Sequence, residues 1–163
     1  MTTVLMNNSW GKPKKLMPGL FASSTNEKII YVTDVLKGSY PMEKADIVRY
    51  IKEEDSYIKV ELLNTDINTG YHEFHPFIAS DERFLIFDSN RPGGFGDYDI
   101  YVSFKNNNEW SKPINMGSKI NSEGYEGVAT VSHDGKYLFF NRNEDIYWVD
   151  AKIIEELKPK DLE

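Results

Sequence analysis

Glu73 and Glu126 stand 53 positions apart, and they are the side chains of this chain best suited to chemistry. Paired carboxylates serve as acid and base on a glycosidic bond when they lie about 5 to 10 Å apart and one has a raised pKa. His72 and His75 flank Glu73 in YHEFHP, and two imidazoles with a carboxylate are the donor types of a zinc site. In an extended strand, however, residues three apart point to opposite faces, so these imidazoles should diverge; His133 is expected to face solvent in a turn. Gly93, Gly94 and Gly96 lie in RPGGFGDYD without the following helix or the Lys-Ser/Thr pair of a phosphate-binding loop, and read as a hairpin loop. Asp88, Asp97 and Asp99 are oxygen donors of the kind calcium prefers, yet Asp99 recurs at Asp46 and Asp145, as a strand-end hydrogen-bonding residue does. No Ser-His-Asp order, nucleophile elbow or cysteine supports acyl transfer. No metal and no cofactor is expected.

The elements that must position these groups repeat. Trp110 and Tyr57, Met116 and Leu63, Ile120 and Ile67, Asn121 and Asn68, Glu126 and Glu73, and Phe140 and Phe87 all share one spacing of 53, the mark of a structural repeat. Arg83-Phe84-Leu85 match Lys28-Ile29-Ile30 at 55, and Asp99-Ile100-Tyr101 recur at Asp145-Ile146-Tyr147 at 46, because the RPGGFGDY loop is missing from the last unit. NEWSKPIN at 108–115 is echoed by NSWGKPKK at 8–15.

Each unit reads as four antiparallel strands. ERFLIFDSN and GKYLFFNRN are aromatic and aliphatic runs bounded by turn formers, and Asp134-Gly135 is a strong hairpin dipeptide whose place is taken by Asp81-Glu82 and Asn26-Glu27 in the other units. In the second unit the strands are expected at about Glu73 to Ala79, Arg83 to Asp88, Asp99 to Phe104 and Trp110 to Asn115. Pro13 and Pro113 suit an edge strand, where a missing N–H breaks no ladder. The polar loop from Gly117 to Gly124 is expected to face solvent. AKIIEELK at 151–158 places Ile153, Ile154 and Leu157 on one stripe of a capping helix.

Composition sets bounds. At 163 residues and 13% aromatic, one domain can bury a substantial core. A net charge of −7 argues against nucleic acid and against an anionic membrane surface. The short basic run from Lys12 to Lys15 reads as a solvated strand end. The absence of cysteine excludes disulfides and thiol chemistry. MTTVLMNNSW shows no signal-peptide pattern and no membrane span, from which cytoplasmic residence is expected.

Short four-stranded units of about fifty residues are the signature of β-propeller blades. The strings SHDGKYLFF, SDERFLIFDSNRPGGFGDYDIYVSF, NEWSKPINMGSKINSEGYE and DIYWVDAKIIEELKP resemble the TolB-type, WD40-like β-propeller repeat of bacterial envelope proteins. The first unit departs from it, with Leu20 in place of the acidic residue. The resemblance implies an all-β propeller, Glu73 and Glu126 at the start of innermost strands near a channel mouth, and a periplasmic or envelope location for longer relatives.

The expected organisation is one half-propeller domain: a closing strand at 8–16, blades at 20–63, 73–116 and 126–150, and the helix at 151–158. The third blade has three strands and lacks the WxKP element that stands alone around Trp10, Lys12 and Pro13. Closure within one chain would require three blades at about 120 degrees, far from natural sheet packing. The expectation is therefore a homodimeric ring of six blades, in which the segment of Trp10, Lys12 and Pro13 completes the partner's strand at Tyr147 and Trp148. Repetition weighs against catalysis, since catalytic groups should break a repeat. The chain thus reads as a non-enzymatic binding or scaffolding propeller for a protein, peptide or glycan, with Glu73, His75, Arg91, Glu126 and Arg142 as candidate channel-mouth contacts. The alternative is a propeller hydrolase or lyase acting on glycans through the same carboxylates.

Overall fold

The structure, a computed structural model, describes residues 5–6, 9–10, 19–20, 22–25, 28–35, 44–54 and 56–162. Its architecture is antiparallel β. A small hairpin pairs β1 (Leu5–Met6) with β2 (Ser9–Trp10), setting Leu5 opposite Trp10. The first sheet runs in the order β3 (Ala22–Ser24), β4 (Ile29–Val35), β5 (Ala45–Glu53), β6 (Ser56–Leu62). The second contains β7 (Glu73–Ile78), β8 (Phe84–Ser89), β9 (Asp99–Asn106), β10 (Glu109–Trp110) and β11 (Ile114–Asn115). The third has β12 (Glu126–Val131), β13 (Tyr137–Arg142) and β14 (Asp145–Asp150). A helix, α1 (Lys152–Glu156), and a 3-10 turn at Lys160–Leu162 follow.

The strands fall where the repeat spacing puts them, with one refinement. The outer strand of the second sheet is broken into β10 and β11, both paired with β9. Pro113 has no N–H for the ladder, and Ser111 bridges the gap: its hydroxyl oxygen accepts the Phe104 N–H at 3.0 Å, and its carbonyl accepts the Ser103 hydroxyl at 2.7 Å. Of the expected closing strand, Ser9 and Trp10 pair with β1; Lys12 and Pro13 lie outside the described residues.

The second sheet is packed on both faces, which explains why every residue of FLIFDS in β8 is buried. Side chains alternate across a strand. Leu85 and Phe87 therefore join Tyr31 and Ile47 of the first sheet, with Tyr101 and Trp110, in one core. Phe84 and Ile86 join Ile100, Val102, Leu138 and Phe140 in another. Each fully buried Leu, Ile or Phe contributes about 1.5–3 kcal/mol of apolar transfer. Ile153 and Ile154 of α1 belong to the second core, and Arg83 reaches Glu155 at 3.2 Å. Among the described residues no helix is long and apolar enough to cross a membrane.

Candidate functional site

Where one sheet passes to the next, the chain builds the same joint twice. After β6 and again after β11 comes an Ile-Asn pair, Ile67-Asn68 and Ile120-Asn121. The Asn68 amide clamps the Ile47 backbone, its Oδ1 accepting the N–H at 2.7 Å and its Nδ2 donating to the carbonyl at 2.8 Å; Asn121 does the same to Ile100 at 2.8 and 3.0 Å. The next residue turns to the glutamate that opens the following sheet. Glu73 accepts the Thr69 hydroxyl at 2.6 Å and its N–H at 3.1 Å, and Glu126 accepts the Ser122 hydroxyl at 2.5 Å and its N–H at 2.8 Å. The loop from Gly117 to Gly124, expected in solvent, thus has Ile120 and Asn121 in the interior, because its polar side chains supply the backbone partners that burial demands.

An arginine completes each joint. Arg91 pairs with Glu73 at 3.1 Å and donates to the carbonyls of Asp66 and Ile67 at 3.0 and 2.7 Å, lying over Phe87 and Tyr101. Arg142 pairs with Glu126 at 3.2 Å and donates to the carbonyls of Lys119 and Ile120 at 3.3 and 2.6 Å, lying over Phe140 and Tyr147. Both carboxylates are 0% exposed. Burial pushes the Glu73 carboxyl above its ordinary value, opposed by the Thr69 hydrogen bonds and the Arg91 charge. The structure therefore places Glu73 with Arg91 and Glu126 with Arg142 in two separate joints.

His75, the fifth candidate, belongs to a different arrangement. It sits at a β-bulge with φ 45°, and its repeat counterpart Val128 sits at the corresponding bulge with φ 54°. His75 Nδ1 lies 2.9 Å from Asp88 Oδ1, which also accepts the Val128 N–H at 3.1 Å, so one buried aspartate ties both bulges. His72 Nδ1 instead lies 2.6 Å from the Tyr98 hydroxyl, and Tyr98 packs against Phe74 and Tyr125. Burial raises the pKa values of Tyr98 and Tyr125, with the Asp88 charge adding to it. The two imidazoles have different partners, and His133 is exposed in its turn. A cleft of about 420 Å³ opens beside the bulges, lined by Leu20, His75, Phe77, Val128 and Thr130 among others.

The glycine loop is occupied by packing. Gly94 lies against the Asp99 carboxylate and Gly96 against the carbonyls of Ser122 and Gly124, leaving no room for a side chain at either. The Asp97 N–H reaches the Gly124 carbonyl at 2.9 Å, and Asp99 accepts the Phe95 N–H at 2.6 Å and the Asn115 amide at 3.2 Å. The contacts that Glu82 makes with the first sheet leave no mark in the sequence. Glu82 accepts the Tyr31 hydroxyl at 2.6 Å and Arg49 Nε at 3.0 Å, and meets Lys105 at 3.5 Å. The Asn68 and Asn121 clamps were signalled by their recurrence at the repeat spacing.

The third sheet differs from the second in what covers it. Phe84, Ile86, Ile100 and Val102 are buried beneath the third sheet. Their repeat counterparts Tyr137, Phe139, Ile146 and Trp148 share one face of the third sheet, where Tyr137 is 40%, Ile146 80% and Trp148 61% exposed. Tyr147 points to the opposite face, stacked on Phe140 and Arg142. Among the described residues β14 pairs with β13 alone. By contrast, Ile30, Val32, Val48 and Tyr50, on the first sheet's side away from the second, are buried.

Side-by-side antiparallel sheets, each joined to the next by a loop that opens its innermost strand, make a β-propeller-like fold. Among solved structures, TolB from Acinetobacter baumannii is similar to this chain, with a TM-score of 0.51 and 17% sequence identity over 80% of this chain and 29% of that one. The chain thus spans less than a third of that structure's length. No protein-family model matches the sequence. No curated protein matches it either.

Proposed function

We propose that the protein is a non-enzymatic binding or scaffolding module of the propeller type, and that its third sheet is the surface offered to a polypeptide partner. The carrying observation is the exposure of Tyr137, Ile146 and Trp148 at positions whose counterparts form a core. Large contiguous apolar surface rimmed by polar residues marks interaction sites, and an edge strand presents unpaired N–H and C=O groups that a further strand can take up. Asp145 and Asp150 bound the strand and are exposed. The channel-mouth reading has less support, because Glu73 and Glu126 have no surface to offer a peptide or a glycan. The same burial disfavours glycoside chemistry at those carboxylates. A thermal-shift screen against peptides, sugars and divalent ions tests the proposal. Extended peptides should raise the melting temperature of Lys12→Glu/Lys14→Glu/Lys15→Glu, in which the chain's own basic run does not compete for the edge, and leave the same chain with Ile146→Asp/Trp148→Asp added unmoved, whereas a sugar-induced shift that survives this double substitution would overturn it.

A further inference from the structure

We infer that the strand missing from the third sheet is supplied by a second copy of this chain, whose segment 8–16 lies along β14; this rests on the binding reading just given. The repeat sets the register. β11 places Ile114 opposite Val102 and Asn115 opposite Tyr101, and the echo of NEWSKPIN in NSWGKPKK carries this over as Lys14 opposite Trp148 and Lys15 opposite Tyr147. Charge agrees with that occupant: Lys12, Lys14 and Lys15 would run along an edge bounded by the exposed Glu144, Asp145 and Asp150. A lysine facing Trp148 also gains a cation–π contact.

The rival occupants fit less well. Two β14 strands pairing antiparallel about their centre would set Asp145 against Asp150, and like charges directly opposite are destabilising. The same copy's own segment is too short a tether. The six steps from Leu16 to Ala22 span about 20 Å at most, whereas the third sheet lies beyond the second, about 20 Å away at roughly 10 Å per sheet, with β14 two strands further out. Reciprocal donation closes a two-fold assembly in which each third sheet is incomplete without the partner.

The test combines mass with a mixed crosslink. Light scattering of the natural sequence at micromolar concentration should give twice the 18.8 kDa chain mass. Lys12→Glu/Lys14→Glu/Lys15→Glu, which leaves every described side chain in place, should weaken dimerisation at least tenfold, as should Ile146→Asp/Trp148→Asp. Because the chain has no cysteine, mixing Lys15→Cys with Tyr147→Cys should yield a disulfide between the two different copies. A dimer without that crosslink, or one indifferent to the lysine substitutions, overturns strand donation. A monomer whose β14 face still binds extended peptides overturns the second copy and leaves the binding reading standing; a monomer that binds none sinks both.

Discussion

Arg91 and Arg142 do the same work from different backbone positions. Arg142 lies directly across from Glu126 in the β12–β13 ladder, whereas the residue across from Glu73 is Ser89, with Arg91 two residues further on. Both guanidiniums nonetheless reach the glutamate of their own sheet and the two carbonyls of the preceding loop. The joint is therefore defined by the place of the charge, and the long arginine side chain tolerates a change of anchor.

That geometry makes the pair costly to break from one side. Removing one partner of a buried ion pair leaves an uncompensated charge, at about 3–5 kcal/mol. Arg91→Ala should thus lower the stability measured by urea denaturation by roughly that amount, whereas Glu73→Leu/Arg91→Leu should cost clearly less than the sum of its single changes. Additive losses would show that the two side chains are not coupled.

Glu82 ties the first sheet to the second from a left-handed conformation, φ 58°, at the place where the third sheet has Gly135, φ 73°. Burial alone would raise its carboxyl, but the Arg49 and Tyr31 hydrogen bonds and the Lys105 charge hold it below its ordinary value. A depressed carboxyl contributes stability that is fully present above the unfolded pKa of about 4.3 and is lost as pH falls through the lower folded value. Glu82→Gln should therefore lose stability relative to the natural sequence at pH 7, with the gap closing below about pH 4. Urea titrations at a series of pH values would show it, and a gap that widens in acid would contradict the assignment.

Val128 is a β-branched residue at φ 54° and is half exposed. Left-handed backbone costs such a residue about 1–2 kcal/mol, and asparagine tolerates it better. Val128→Asn should raise stability by about 1 kcal/mol while keeping the N–H that Asp88 accepts. A fall in the urea midpoint would mean that the valine side chain makes a contact worth more than the strain.

Val102 and Trp148 occupy the same place in the repeat, one buried and one 61% exposed. Val102→Asp should unfold the chain by burying an unpaired charge. Trp148→Asp should change the folding stability of the dissociated chain by no more than about 0.5 kcal/mol. Circular dichroism and urea denaturation at nanomolar concentration separate the two outcomes.

Much of the fold was legible because strand alternation and turn chemistry are local. The 53-residue spacing located β7, β8 and β9 within a residue or two, and it marked the three strands of the third sheet as one short of four. The stripe of Ile153 and Ile154 marked the helix. The Glu82 contacts were not legible, since Asp81-Glu82 looks like any hairpin turn until the first sheet brings Tyr31 and Arg49 against it. Nor was the burial of Ile120 and Asn121, because a polar loop reads as solvated until its amide is seen satisfying the backbone of another strand.

The sequence by itself determined the repeat, the approximate strand positions and the identity of the residues that open each sheet, all of which follow from side-chain period and turn residues within a few positions. Only the tertiary structure decided what Glu73 and Glu126 face. Their carboxylates are closed in by loop hydroxyls and by an arginine 16 to 18 residues away, and whether a polar side chain meets a partner or open solvent depends on how separate segments pack. The same packing covers Val102 and leaves Trp148 in water, although the repeat assigns them one position.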